Sequence, residues 1–142
     1  MMKMMNDHIP FQNENLTKKY KNDAGLDIKC PYNTFIPSMG KAIINTRLHV
    51  TIPPGFVGII KGRSSLALKY DIECCNAGVI DSGYTGIIRV LLRNFGYKIY
   101  EIQEGDRIAQ LLTIPVNLSR YTETNEIRNT SRGNNGIGSS GK

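Results

Sequence analysis

The sequence predicts an all-β domain of the sandwich or jelly-roll type. Three observations carry that reading. Short runs rich in Val, Ile and Tyr recur along the chain, breaks containing Gly, Pro or Asn separate them at close intervals, and only residues 65–70 read as helical. A chain of 142 residues has length for one domain with a sizeable core, and not for two.

The elements follow in order. Residues 41–52 (KAIINTRLHVTI) form a strand that Pro53, Pro54 and Gly55 end, and residues 56–61 form a second that stops at Gly62. Residues 65–70 (SLALKY) make one helical turn, with Ser64 or Ser65 as its natural cap. Strands over residues 72–80 and 86–93 flank the turn at Ser82 and Gly83, and Asn94, Phe95 and Gly96 close the second of them. Residues 98–102 and, after the turn at Glu104, Gly105 and Asp106, residues 108–115 complete the set. Residues 1–20 read as a loose polar tail, 21–120 as the β-barrel and 121–142 as a flexible arm rich in glycine.

Composition excludes several classes of chemistry. No apolar run approaches the roughly 18–20 residues that a membrane helix needs. The first residues lack an apolar signal region and carry Asp7 without arginine, so a cytoplasmic or nuclear location is expected, or a host compartment if the source is viral. Cys30, Cys74 and Cys75 form neither a disulfide framework nor a Cys-x-x-Cys zinc pair, and read as small buried hydrophobes. His8 and His49 are too few for a three-histidine metal site. The net charge of +6 is scattered, without the basic run expected of a nucleic-acid binder. Arg63, Arg89 and Arg93 near glycine turns, with Arg128 and Arg132 near the C-terminus, suit a small polyanion such as a polyphosphate.

The most informative stretch runs from Asn76 to Gly86. It sets Asp81 at the mouth of a glycine-rich turn and Tyr84 three residues downstream, a carboxylate and an aromatic plate fit to hold a water and a flat substrate. The tail from Arg132 to Gly141 reads either as disorder or as an anion-binding nest of successive N–H groups.

Five segments in one order are more specific than any one of them. They are Ala24-Gly-Leu-Asp-Ile28, Gly62-Arg-Ser-Ser-Leu-Ala67, Ala77-Gly-Val-Ile-Asp-Ser-Gly-Tyr-Thr-Gly86, Gly105-Asp-Arg-Ile-Ala-Gln-Leu111 and Arg132–Gly141. Together they resemble the five motifs of the trimeric dUTPases, over nearly the whole chain beyond its N-terminal tail. The resemblance implies a jelly-roll β-barrel and a homotrimer with active sites shared between subunits. It also implies Mg2+-dependent hydrolysis of dUTP to dUMP and pyrophosphate, which keeps uracil out of DNA and supplies dUMP for dTMP synthesis. Neither a membrane nor a nucleic acid is an expected partner.

Site residues follow motif by motif as implications of that resemblance. Asp81 orients and deprotonates the water that attacks the α-phosphorus. Gly78, Val79 and Ile80 form the pocket in which backbone groups read the uracil edge, Asn76 is a further substrate-binding position beside them, and Tyr84 packs on the deoxyribose. Arg63, Ser64, Ser65 and Gln110 contact phosphates, while Asp106 braces Arg63 or another arginine. Asp27 stands near the Mg2+ shell, through a water, or else caps backbone N–H groups as a turn acid. In the arm, which closes over a neighbouring site, Arg132 clamps the γ-phosphate, Gly138, Ser139 and Ser140 wrap the phosphate chain and Ile137 covers the base.

The chain departs from the family pattern at Ile137, where a stacking phenylalanine is usual, at Ser140, which replaces a threonine, and at Ser65 and Asn76, where glycine is common. Base–aromatic stacking is worth roughly 1–3 kcal/mol, so weaker closure or a higher KM is expected, but not loss of activity. Two rivals remain at this point. A dCTP deaminase shares the fold but needs a glutamate on the strand after the hairpin, and residues 87–93 hold no acid. A nucleotide-binding or interaction protein without turnover would have no use for Asp81.

Overall fold

In the computed structural model, which describes residues 14–75 and 78–141, ten strands and one short helix form three antiparallel sheets around one core. The largest sheet has the order β1-β2-β10-β5-β7. Its members are β1 (Leu16–Thr17), β2 (Leu26–Lys29), β10 (Arg107–Pro115), β5 (Phe56–Lys61) and β7 (Val79–Ile80). A second sheet sets β4 (Lys41–His49) beside β8 (Ile87–Asn94) and β6 (Ile72–Cys74), and β3 (Thr34–Ile36) pairs with β9 (Tyr100–Ile102). The all-β, jelly-roll-like class read from the sequence holds, although the three sheets do not close into one continuously hydrogen-bonded barrel.

Alternation explains the sheet of β4 and β8. On β4 the residues Ile44, Thr46 and Leu48 point inward, and on β8 Ile88, Val90, Leu92 and Asn94 do the same. The two polar members are buried but satisfied. Thr46 Oγ1 donates to the Ile88 carbonyl at 2.7 Å, and Asn94 Nδ2 donates to the carbonyls of Lys98 and Ile36. With Ile28, Ile36, Ile60, Leu66, Ile72, Ile102 and Leu111 these strands make one contiguous apolar core.

The structure moves several sequence-based boundaries. Residues 50–52 are outside β4, because a register shift between Asn45 and His49 interrupts its pairing and Arg47 adopts a φ of 60° there. The single strand expected over residues 72–80 is two strands in different sheets, with β6 on β8 and β7 on β5. Three early strands escaped the sequence reading. One, β1, falls inside the segment read as a tail, and its Leu16 is buried against the core.

The helix α1 (Ser64–Tyr70) begins without a side-chain cap. Arg63, not a serine, is the N-cap, and its carbonyl accepts the N–H groups of Leu66 and Ala67. Ser64 and Ser65 are therefore the first helical residues. At the other end Asp71 closes the helix in the left-handed conformation, with φ 56°.

Past β10 the chain leaves the body. Val116 N donates to the Gly55 carbonyl at 2.9 Å, and residues 117–141 are exposed and, among the described residues, make no hydrogen bond to the body. No helix of the described residues is long and apolar enough to cross a membrane.

Candidate active site

The site grows from the turn between β7 and β8. Tyr84 N donates to the Asp81 carbonyl at 3.0 Å, which closes the turn and leaves the Asp81 carboxylate exposed at its mouth. Tyr84 then folds back. Its hydroxyl donates to the Ile87 carbonyl at 2.8 Å, so the ring lies over Gly86. A Cβ at Gly86 would lie 2.5 Å from that hydroxyl oxygen, and only glycine leaves the ring this position. Asp81 and Tyr84 line a common hollow of about 320 Å³ with Val79, Ile80, Ile87 and Arg89.

Val79 separates this hollow from a second, also about 320 Å³, that lies between the end of β5 and the segment leading into β7. Lys61 and Gly62 at the end of β5, Cys74 and Cys75 after β6, and Gly78 and Val79 line it. The Gly78 carbonyl accepts the Ile60 N–H at 2.8 Å, and a Cβ at Gly78 would come within 2.6 Å of the Ile60 oxygen. The approach of β5 to this segment thus depends on a residue without a side chain. Donors and acceptors fixed this way suit a ligand edge that carries both.

The phosphate-type motif joins this wall directly, because Gly62 leads into Arg63. Here β10 is the organiser: Gln110 stands opposite Asp27 of β2 on one side and Lys61 of β5 on the other. Gln110 Nε2 donates to the Gly62 carbonyl at 3.0 Å, and Gly25 leaves room for its amide oxygen, 2.5 Å from where a Cβ would sit. Gln110 therefore ties down the loop ahead of Arg63.

Asp27, rather than Asp106, braces Arg63. Its two carboxylate oxygens lie 3.6 Å from Arg63 Nε and 3.7 Å from an Arg107 guanidinium nitrogen, and Arg63 donates to the Arg107 carbonyl at 3.1 Å. Asp106 instead accepts the Gln103 N–H within its own turn. The physical reason is register, since pairing of β2 with β10 delivers Asp27 to both arginines. Sequence reasoning missed Arg107 as a member of this cluster, although it lies inside the fourth motif.

Among the described residues no three His, Cys, Asp or Glu side chains gather as a metal cage. Asp27 offers one carboxylate already balanced by two guanidinium groups. That fits a Mg2+ ion carried by substrate phosphates and waters, which needs little from the protein, and does not fit a dedicated protein cage.

Not all predicted site residues meet within one chain. Arg63, Asp27 and Gln110 gather at the Gly62 loop, with Ser64 and Ser65 next in the chain; Asp81, Tyr84, Val79 and Ile80 line one hollow, and Gly78 with Val79 lines the pocket beside that loop. Asn76 lies outside the described residues. Arg132, Ile137, Gly138, Ser139 and Ser140 stay apart from both groups on the exposed arm. There, short turns follow one another: Asn135 N donates to the Arg132 carbonyl, Ser139 N to Gly136 and Gly141 N to Gly138, with Gly133, Gly138 and Gly141 at positive φ.

The family model described as dUTPase matches residues 12–141. The deoxyuridine 5'-triphosphate nucleotidohydrolase of Rattus norvegicus is 42% identical over 119 residues, covering 84% of this chain, which spans 58% of the rat protein's length. The dUTPase of Staphylococcus bacteriophage 80alpha, solved with dUPNHPP, superimposes with a TM-score of 0.83 at 29% identity, covering 89% of this chain and 91% of that one. A variant dUTPase from the S. aureus phage phi11, described with a structural Mg(II) ion, gives a TM-score of 0.74 at 27% identity over 78% of this chain and 89% of that one.

Proposed function

Because the chain belongs to the dUTPase family, we propose that it hydrolyses dUTP to dUMP and pyrophosphate, in sites shared among the copies of a homotrimer. One observation carries the reading: Asp81 and Tyr84 share a hollow that adjoins, across Val79, a pocket lined by Gly78 and by Lys61 and Gly62, which lead into Arg63. Features suited to sugar, base and phosphates thus adjoin one another.

In this reading the uracil enters between β5 and β7, where backbone groups around Gly78, with Val79 and Ile80, meet its edge. The ring of Tyr84, pinned by its hydroxyl, takes the space a 2′-hydroxyl would need. Asp81 accepts a proton from a water and aims it at the α-phosphorus, a role worth roughly 10²–10⁴-fold in rate. Arg63, Ser64, Ser65 and Gln110 hold the phosphates, and Asp27 with Arg107 positions the Arg63 guanidinium. Bound Mg2+ would neutralise charge on the triphosphate, with Asp27 reaching its shell through a water. Arg132 closes on the γ-phosphate, with Ile137 over the base and Gly138, Ser139 and Ser140 along the chain of phosphates. Separation of the arm from its own body supports closure over a neighbour's site. Turnover would keep uracil out of DNA and supply dUMP.

The site of attack is read by hydrolysis in ¹⁸O-water. The label is expected in dUMP, whereas label in pyrophosphate would contradict attack at the α-phosphorus.

Sugar discrimination yields a further prediction. In Gly86→Ala the new methyl pushes the Tyr84 ring from its place, since Oη and Cζ stand 2.5 and 2.6 Å from the added carbon. The ratio of kcat/KM for UTP to that for dUTP is expected to rise roughly 10-fold, the scale of one repositioned contact. An unchanged ratio would remove the Tyr84 ring from sugar selection.

A further inference from the structure

The turn that carries Asp81 and Tyr84 is tied down from outside by one side chain. Within the turn, Tyr84 closes on the carbonyls of Asp81 and Ile87. Among the described residues, only His49 reaches it with a side-chain hydrogen bond from elsewhere in the fold. Its Nδ1 stands 3.0 Å from the Thr85 carbonyl oxygen. A carbonyl only accepts, so Nδ1 carries the proton and donates.

Strand β4 is shaped to deliver this contact. From Asn45 to His49 the chain advances four residues, while its partner β8 advances two, from Arg89 to Ile87. Unbroken pairing would set Arg47 opposite Ile87, and the two extra residues put His49 there instead. Polar side chains hold the excursion. Asn45 Oδ1 accepts the Arg47 N–H at 2.9 Å, where Arg47 has its φ of 60°, and the Asn45 N–H donates to the Tyr32 hydroxyl at 3.0 Å. Thr46 Oγ1 accepts the Leu48 N–H while it donates to Ile88. His49 itself is exposed, so its bond to Thr85 serves the turn and not the core.

We propose that His49 is a positioning residue for sugar selection: by holding the Thr85 carbonyl it fixes the Tyr84 ring in the space a 2′-hydroxyl would need. The proposal rests on the reading that Tyr84 packs on the deoxyribose. Thr85 stands between Tyr84 and Gly86, so the His49 bond restrains the backbone between the ring and its anchor at Ile87. Without that bond the turn keeps only the contacts it makes with itself, and the ring yields to a ribose. The Asp81 carbonyl still accepts the Tyr84 N–H, so selectivity suffers before rate does.

The test measures kcat and KM for dUTP and UTP on the full chain and on His49→Leu, His49→Asn, Tyr84→Ala and the double variant His49→Leu/Tyr84→Ala. Leucine and asparagine match in shape, but only asparagine keeps a donor where Nδ1 stands (His49→Ala replaces His49→Leu if the latter does not fold). In His49→Leu the ratio of kcat/KM for UTP to that for dUTP is expected to rise roughly 3- to 10-fold, the scale of one neutral hydrogen bond. His49→Asn should return the ratio to near the parent's. On the Tyr84→Ala background, His49→Leu should shift the ratio no further, because the ring it positions is gone. An unchanged ratio in His49→Leu, an equal rise in His49→Asn, or a full further rise on the Tyr84→Ala background would each overturn the proposal. A merely structural His49 would slow both substrates alike and leave the ratio in place. Were the parent inactive on dUTP, the functional reading would fail separately, and the ratio of dUMP to UMP affinity, titrated calorimetrically on the same variants, would still decide the role of His49. A preference for dUMP that His49→Leu loses and His49→Asn keeps supports it, and an unaltered preference, or a parent with none, overturns it.

Discussion

Asp81→Asn is expected to lower dUTP turnover by roughly 10²–10⁴-fold, with dUTP affinity near that of the parent. The change removes a proton acceptor and little else. The turn is closed by the Asp81 carbonyl, which the substitution keeps, and the exposed carboxylate supports no core packing. Pyrophosphate release measures the first expectation and calorimetric titration the second. Turnover within a few-fold of the parent would mean that another group activates the water, and Arg89 and Tyr84 in the same hollow cannot act as carboxylate bases.

Removing residues 132–142 is expected to leave the oligomer intact and to slow hydrolysis by a factor on the order of 10², the cost typical of losing substrate-positioning contacts. The body should not notice the loss, since this segment makes no hydrogen bond to it among the described residues. Light scattering checks the oligomer, and pyrophosphate release checks the rate. Shared sites add a sharper consequence. Truncated copies still supply Asp81, and Asp81→Asn copies still supply the arm, so mixed assemblies should recover activity that neither variant has alone. Mixtures that stay at the sum of the two separate rates would place the arm over its own chain's site or over none.

How much of this was legible in the sequence depended on the residue. Strands β4 and β8 announced themselves because Ile44, Leu48, Ile88, Val90 and Leu92 alternate with polar residues over a long span. Strands β1, β2 and β3 are at most four residues long and draw their order from partners far along the chain, as when Leu16 pairs with Ile28. Periodicity cannot reveal such pairing. The division of residues 72–80 between two sheets was hidden for a related reason, since it is set by the approach of Gly78 to Ile60 and not by any local break signal.

The candidate site divides in the same way. Asp81, Tyr84 and the Arg63 loop could be singled out because acid, aromatic and glycine fall within a few residues of one another. The brace could not, because Asp27, Arg63 and Arg107 meet only through the register of β2, β10 and β5. Asp106, the nearer acid in the fourth motif, looked the better partner until its turn claimed it. The partial exposure of Cys74 and Cys75 was likewise invisible to composition, which places cysteine inside by habit of its type.

The most direct test of the central claim is pyrophosphate release by the full chain from dUTP, with dCTP, dTTP and UTP in parallel, each with and without Mg2+. Release from dUTP alone, enhanced by Mg2+, is the predicted result, and would establish selection of base and sugar at once. Absence of release from dUTP while dUMP still binds would contradict the account and leave a nucleotide-binding protein on this fold.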